Sequence, residues 1–335
     1  MFQSMNYRSF GKTDLNVSEL GLGCQSLGGG LYYRDDRESI RTLHQAFDFG
    51  VNFYDTSDHY SQGASEILIG RAFKGKRDKV VIATKAGTRY SRLGDLALRM
   101  RPLLRPMSRF FRPMKISLHL MRASQKHSDF SAEYLTNAVH RSLKRLRTDY
   151  LDIFQLHKPP TSTLEKGDFC ETLEKLRGQG KIRYYGISCA TVEDALICLR
   201  HPGISSVQVG ISFLDQDAIN KLLPVAREKK IAVIARNPRA QGHLTSTLSD
   251  IMAETYAENQ KEVEDRINKA KKFQFLVNKD RTLAQAALQF VLRLDGVSTV
   301  LPRAINRQQL EETLGSFNAF PLTEEELNKI YSINS

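Results

Sequence analysis

The sequence predicts an α/β chain folded as a (β/α)8 TIM barrel, with an N-terminal β-hairpin and two long loops on the face where the strands end. Three observations predict it. Eight short, β-branched apolar runs recur along the 335 residues. Stretches with helical spacing lie between most of them, and strands that alternate with helices build parallel sheets. The length suits one barrel with insertions, whereas a doubly wound open sheet would need fewer strands or a second domain. A single domain over residues 1–335 is therefore expected.

The elements follow in order. NYRSFGKTDLNVSELGLG reads as two short strands around the turn signal Gly11 to Asp14, a hairpin closing the barrel bottom. The eight strand candidates are ELGLGC (19–24), VNFYD (51–55), KVVIATK (79–85), YLDIFQLH (150–157), IRYYGIS (182–188), SVQVGI (206–211), IAVIAR (231–236) and VSTVLP (297–302). Leu135, Ala138, Val139, Leu143 and Leu146 repeat at helical spacing, as do Leu283, Ala286, Ala287, Phe290, Val291 and Leu294. GLGCQSLGGG (21–30) is not a dinucleotide fingerprint, because its third glycine position is Ser26 and helical pattern resumes only near Asp35. Two connections exceed ordinary βα loops: one after Lys85, and one from Asn237 to about Val277 with a polar helical piece near Ala257 to Phe275.

Composition bounds the compartment. With 41% hydrophobic and 26% charged residues the chain has material for a large core. Cys24, Cys170, Cys189 and Cys198 show neither a C-x-x-C pair nor a histidine at metal-ligand spacing, which argues for reduced thiols, no metal, and a cytoplasmic location. Neither a leader nor a membrane span is expected, since no run of 18 apolar residues occurs. Of the net +12, nine charges sit between Thr88 and His127, where ten basic residues face the single acid Asp95. The rest of the chain is nearly balanced, so the basicity is local.

In a barrel, reacting groups stand at the C-terminal ends of several strands. Those positions carry Asp55, Lys85, His157, Ser188, Gln208 and Arg236, with Tyr60 in the loop beyond Asp55. FGKTDLNVSELGLG, FYDTSDHYSQGASEILIG, VIATKAG, SLKRLRTDYLDIFQLHKP, YYGIS and VLPRAINRQQLEET, in this order, resemble the aldo-keto reductase superfamily over nearly the whole chain. The resemblance implies a catalytic tetrad of Asp55, Tyr60, Lys85 and His157, and an NAD(P)H-dependent oxidoreductase that interconverts an aldehyde or ketone with an alcohol. Tyrosine, with an ordinary pKa of about 10, is a sluggish acid or base near neutrality. The Lys85 ammonium is expected to lower it, Asp55 to hold Lys85, and His157 to hydrogen-bond the substrate oxygen.

The same resemblance implies a nicotinamide cofactor across the rim. Its carboxamide would meet Ser188, Cys189 and Gln208, with Arg236 under the ring. Its pyrophosphate would lie on Asn237, Pro238, Gly242 and Leu244. Its adenosine phosphate would meet Arg303, Arg307, Gln309, Glu312 and Thr313. Cys189 replaces the family's usual asparagine, Arg236 an aromatic residue, Thr313 the asparagine of a Glu-Asn pair, and Ile305 a basic residue. Arg303 and Arg307 are suited to a 2′-phosphate, so NADP(H) is expected over NAD(H), the second choice.

Residues 88–127 form a basic insertion after the third strand, whose Pro102, Pro106 and Pro113 interrupt any long helix. The readings are a solvated loop packed on the barrel, a lid selecting a bulky or anionic substrate, or a docking surface for acidic lipid or a protein at residues 96–122. No nucleic-acid partner is expected. Against the enzyme stands one alternative from another class: a cofactor-binding accessory subunit with little turnover, favoured by Cys189 and the insertion.

Overall fold

The computed structural model describes residues 5–28, 36–90, 126–245, 260–304 and 306–333. Most of the basic insertion and Ile305 lie outside them. Two strands open the chain, β1 (Tyr7–Ser9) and β2 (Asn16–Ser18), paired antiparallel. Gly11 turns between them at φ +60°; a Cβ there would stand 2.7 Å from the Ala232 backbone nitrogen, so the hairpin tip seats against the barrel only because glycine occupies it. Phe10, Leu15 and Val17 are buried with Phe53, Val81, Ala83, Ile153, Ala232, Ile234 and Leu301. That cluster plugs the bottom of the barrel, where the sequence placed the hairpin.

The barrel strands are β3 (Leu22–Gly23), β4 (Phe53–Asp55) and β5 (Val81–Ala86), then, beyond the ribbon β6 (Thr88–Tyr90) and β7 (Lys126–Ser128), β8 (Leu151–His157), β9 (Ile182–Ser188), β10 (Ser206–Gly210), β11 (Ala232–Arg236) and β12 (Val297–Leu301). Neighbouring strands pair parallel in the order β3-β4-β5-β8-β9-β10-β11-β12. Bridges from Leu20 to Val300 and from Gly23 to Arg303 bring the two ends together and close the barrel. All eight predicted runs supply these strands. The antiparallel β6–β7 ribbon frames the base of the basic insertion.

Helices follow the strands on the outside: α1 (Asp36–Asp48), α2 (Ala64–Ala72), α3 (Ala132–Leu146), α4 (Thr161–Lys166), α5 (Phe169–Gly178), α6 (Val192–Cys198), α7 (Asp217–Lys221), α8 (Leu223–Glu228), α9 (Gln260–Lys271), α10 (Leu283–Leu292), α11 (Arg307–Leu314) and α12 (Glu324–Ser332). Their starts are chemically fixed. Ser131 accepts from the Tyr134 amide at the head of α3, and Thr282 with Gln285, then Thr323 with Glu326, make capping boxes for α10 and α12. The predicted stripe Leu135, Ala138, Val139, Leu143 and Leu146 is buried against the sheet. The polar helical piece expected near Ala257 to Phe275 is α9, followed by a 3-10 turn at Gln274–Leu276. Among the described residues no helix is long and apolar enough to cross a membrane.

Side chains on a strand alternate between its faces, so the barrel interior is built in layers. Phe53, Val81, Ala83, Ile153 and Ile234 make the lower, apolar layer. Two residues further along the same strand faces come Asp55, Lys85, Gln155 and Arg236. The interior thus changes from apolar to polar toward the C-terminal rim. Truncating Phe10, fully buried in the lower plug, is expected to cost about 3–5 kcal/mol by chemical denaturation. A loss under about 1 kcal/mol would mean that the hairpin rests on the barrel rather than being part of its core.

Candidate active site

The polar layer is organised around one carboxylate. Lys85 Nζ donates to Asp55 Oδ1 at 2.5 Å and to the Thr56 carbonyl at 2.9 Å. Asp55 Oδ2 accepts from Gln208 Nε2 at 2.8 Å and from Gln155 Nε2 at 3.2 Å. Ser188 Oγ closes the chain by donating to Gln208 Oε1 at 2.9 Å. All five residues are buried. A charge in such a place must be paired and hydrogen-bonded, and here both members of the ion pair are.

The loop after β4 then carries Tyr60 over this layer. Thr56 N donates to the Ala83 carbonyl at 2.8 Å and Asp58 N to the Lys85 carbonyl at 2.9 Å, so the segment runs beside β5 beyond the end of β4. Ser61, Gln62 and Gly63 are all left-handed, at φ 49°, 59° and 84°. Two of these are not glycine and cost about 1 kcal/mol or more each, a conformation that persists only where its surroundings impose it. Ser61 Oγ holds the turn by donating to the Leu27 carbonyl at 2.7 Å. The Tyr60 ring lies 5.3 Å from Lys85 Nζ, and its centroid is 6.1 Å from that of His157, nearly perpendicular. Asp55, Tyr60, Lys85 and His157, far apart in sequence, meet at one point on the rim.

The electrostatics differ from the expectation in one respect. Burial, and next the Asp55 carboxylate, push the Tyr60 phenol far above its ordinary value, and Arg236 and Arg303 offset this only in part. The Lys85 ammonium, 5.3 Å from the ring, does not reverse this rise. Its own pKa is lowered by burial, against the pull of Asp55, and its charge is engaged by that carboxylate. Tyr60 therefore holds its proton firmly. Burial, then the neighbouring His59 and Lys85, hold His157 well below the usual imidazole range, so its ring is neutral.

A model of the Aldo/keto reductase family matches residues 19–335. The chain belongs to the aldo/keto reductase family. An uncharacterized oxidoreductase of Bacillus subtilis (strain 168), YqkF, is 31% identical over 98% of this chain and 96% of its own length. The NADH-specific methylglyoxal reductase of Escherichia coli (strain K12) is 28% identical over 92% of each. Among solved structures, the holo form of aldo-keto reductase AKR11C1 from Bacillus halodurans superposes with a TM-score of 0.77 at 30% identity, covering 99% of this chain and 97% of that one. The apo form of the same protein gives 0.72.

Aldo/keto reductases work with nicotinamide cofactors, so the rest of the rim of this aldo/keto reductase can be tested for one. Ser188 and Gln208 face inward but already bond each other. The Cys189 side chain is one position out of phase: its Sγ lies 3.7 Å from Cys198 Sγ of α6, in the layer between sheet and helices. Only its carbonyl reaches the rim side, where it accepts from Arg236 Nη2 at 2.9 Å. Arg236 Nε is buried without a hydrogen-bond partner. Asn237, Ala240, Gln241 and Gly242 follow with positive φ, and Pro238 and Leu244 are buried within the same loop.

After β12, Arg239 donates to the Arg303 carbonyl, tying the two rim loops together. Beside them is a small recess lined by Arg239, Pro302, Glu312, Thr313 and Ser316, with Ala284 and Leu288 at its floor. Thr313 Oγ1 donates back to the Gln309 carbonyl at 2.7 Å. Arg307 is exposed at the start of α11, its Nε 3.0 Å from Gln45 Oε1. An arginine nitrogen lacking a partner, a loop of left-handed residues and the polar groups at the tail offer donors along the path an extended dinucleotide would take. Among the described residues no cluster of metal-ligating side chains occurs.

Sequence reading missed Gln155, Ser57 and His59. Gln155 had a signal, a polar residue two before His157 on a strand face whose earlier positions, Leu151 and Ile153, are apolar. Ser57 and His59 had none. Their positions depend on the path of the loop: Ser57 Oγ lies 2.9 Å from His59 Nδ1 and 3.4 Å from His157 Nδ1, and the His59 ring centroid is 4.7 Å from that of His157.

Proposed function

We propose that this aldo/keto reductase family member reduces an aldehyde or ketone to the alcohol, reversibly, using NADPH. The convergence of Tyr60, His157 and the buried Lys85–Asp55 pair on one point carries the reading. The reduced nicotinamide, when bound, supplies hydride to the carbonyl carbon. Tyr60 gives the proton to the carbonyl oxygen, and a phenol whose pKa is pushed upward is reliably protonated for that step. Lys85, 5.3 Å from the ring, stabilises the phenolate left behind. His157 hydrogen-bonds the oxygen as negative charge develops on it. Ser188, Gln208 and Arg236 would hold the nicotinamide end, the 237–244 loop the pyrophosphate, and the recess beside Glu312 and Thr313 the adenosine end.

The choice of NADPH rests on Arg303 and Arg307, two cations between the end of β12 and the start of α11, against the NADH preference named for the Escherichia coli relative. Fluorescence titration tests it without any guess about substrate. NADPH is expected to bind at micromolar concentration and NADH about tenfold or more weakly, and Arg307→Ala should close that gap, since one charge-assisted phosphate contact contributes about 1.5–3 kcal/mol. Equal affinity, or tighter NADH, would reassign the cofactor. Tight binding with no turnover on a panel of aldehydes and ketones would favour the accessory-subunit reading.

A further inference from the structure

His157 is neutral in its buried setting, so it carries one N–H, and which nitrogen bears it decides what the ring can do. If the hydrogen is on Nε2, the ring can donate to a substrate oxygen. If it is on Nδ1, Nε2 presents a lone pair and cannot. Among the described side-chain hydrogen bonds, the partner of His157 is Ser57, 3.4 Å from Nδ1.

Ser57 has one hydrogen to give and two lone pairs, and four groups surround its oxygen. His59 Nδ1 lies at 2.9 Å, the Lys85 carbonyl at 3.0 Å, Asp58 Oδ1 at 3.3 Å and His157 Nδ1 at 3.4 Å. The carbonyl and the carboxylate can only accept. The Lys85 carbonyl already takes the Asp58 amide at 2.9 Å. The Asp58 carboxylate, partly exposed, also has Tyr134 Oη at 3.3 Å. Neither depends on the serine hydrogen. The remaining two contacts order themselves: one imidazole must donate to Ser57 and the other can accept from it. His59 is the nearer, and with Asp58 Oδ1 3.8 Å from its Nδ1 it can carry its hydrogen there.

We infer that Ser57 and His59 are positioning residues that form an ordered chain, His59 Nδ1–H to Ser57 Oγ–H to His157 Nδ1, which fixes His157 as the Nε2–H donor aimed at the carbonyl oxygen. The inference rests on the role proposed above for His157. No bond is made or broken in the chain. Each member holds its hydrogen in the direction that the next requires, as a base-orienting group does in other active sites. If Ser57 gave its hydrogen to the Lys85 carbonyl instead, both rings would carry theirs on Nδ1 and the site would lose that donor.

The test is direct. In the full chain with 15N-labelled histidine, long-range 1H–15N correlations report which ring nitrogen is protonated, and the His157 signals are assigned by their loss in His157→Gln. In the wild type, His157 is expected with Nε2 protonated. Ser57→Ala should shift His157 toward the Nδ1 form and lower kcat about ten- to hundredfold with little change in KM, less than the roughly 10²–10³-fold lost when a donor to a developing oxyanion is removed outright. Ser57→Thr, which keeps the hydroxyl, should restore both. A wild-type His157 protonated on Nδ1, or a Ser57→Ala protein whose His157 form is unchanged, would overturn the inference whatever its activity. The wild-type spectrum alone decides the matter should Ser57→Ala fail to fold. Failure of the reductase reading itself would show elsewhere, in a Tyr60→Phe enzyme that keeps its turnover.

Discussion

Tyr60→Phe is expected to lower kcat for carbonyl reduction by about 10²–10⁴-fold, the contribution typical of a positioned general acid. Cofactor affinity should be unchanged. The substitution removes one oxygen and leaves the ring, which packs edge-on against His59 at 5.0 Å and His157 at 6.1 Å between centroids, so the loop keeps its anchor. Because the proton moves only in the transition state, the loss belongs in kcat and in kcat/KM equally, with KM little altered. The residual rate should come from His157 polarising the carbonyl while water supplies the proton. A Tyr60→Phe enzyme within a few-fold of wild type would remove the proton from this residue, and with it the proposed mechanism. The upward-shifted phenol also gives a direction: as pH rises, reduction should persist to more alkaline pH than it would with a tyrosine of ordinary pKa.

The barrel and the strand-end residues Asp55, Lys85 and His157 were legible in the sequence because each follows from a local rule, whereas Tyr60, set by a loop, was singled out by the family resemblance. Alternating apolar runs give strands, and polar residues at their ends fall on one rim whatever the loops do. What the sequence hid was decided by geometry across strands. Lys85 reads as a cation near Tyr60, and so as something that lowers its pKa. The folded site instead buries the phenol and turns the Lys85 ammonium toward Asp55. Cys189 reads as the residue beside Ser188, but a period of two turns its sulfur away from the rim toward Cys198. Ser57 and His59 could not be chosen from sequence at all, since their meeting with His157 depends on a loop held by left-handed Ser61 and Gln62. Residues 91–125 carry most of the insertion, and that sequence call falls outside the described residues.

Lys85→Met is expected to destabilise the fold by about 3–5 kcal/mol at neutral pH, because it leaves the buried Asp55 carboxylate without its cation. The side chains of Lys85 and Asp55 are only 1% and 5% exposed, so water cannot replace the lost partner. Asp55→Asn in the same background should then recover about 2 kcal/mol or more, since the amide oxygen can still accept from Gln208 and no charge remains to be desolvated. This non-additivity is what a double-mutant cycle measures, here from urea unfolding midpoints of the four proteins. Both variants should be nearly inactive. A double variant more stable than Lys85→Met yet without turnover would show that the pair is dispensable for folding once both charges are gone and is required for the chemistry at Tyr60. If instead the double variant is as unstable as the sum of the two singles, the coupling between the two side chains is zero and the ion pair contributes no stability of its own. The part of Lys85 in stabilising the phenolate is read separately, from turnover: a double variant that keeps wild-type kcat would remove it.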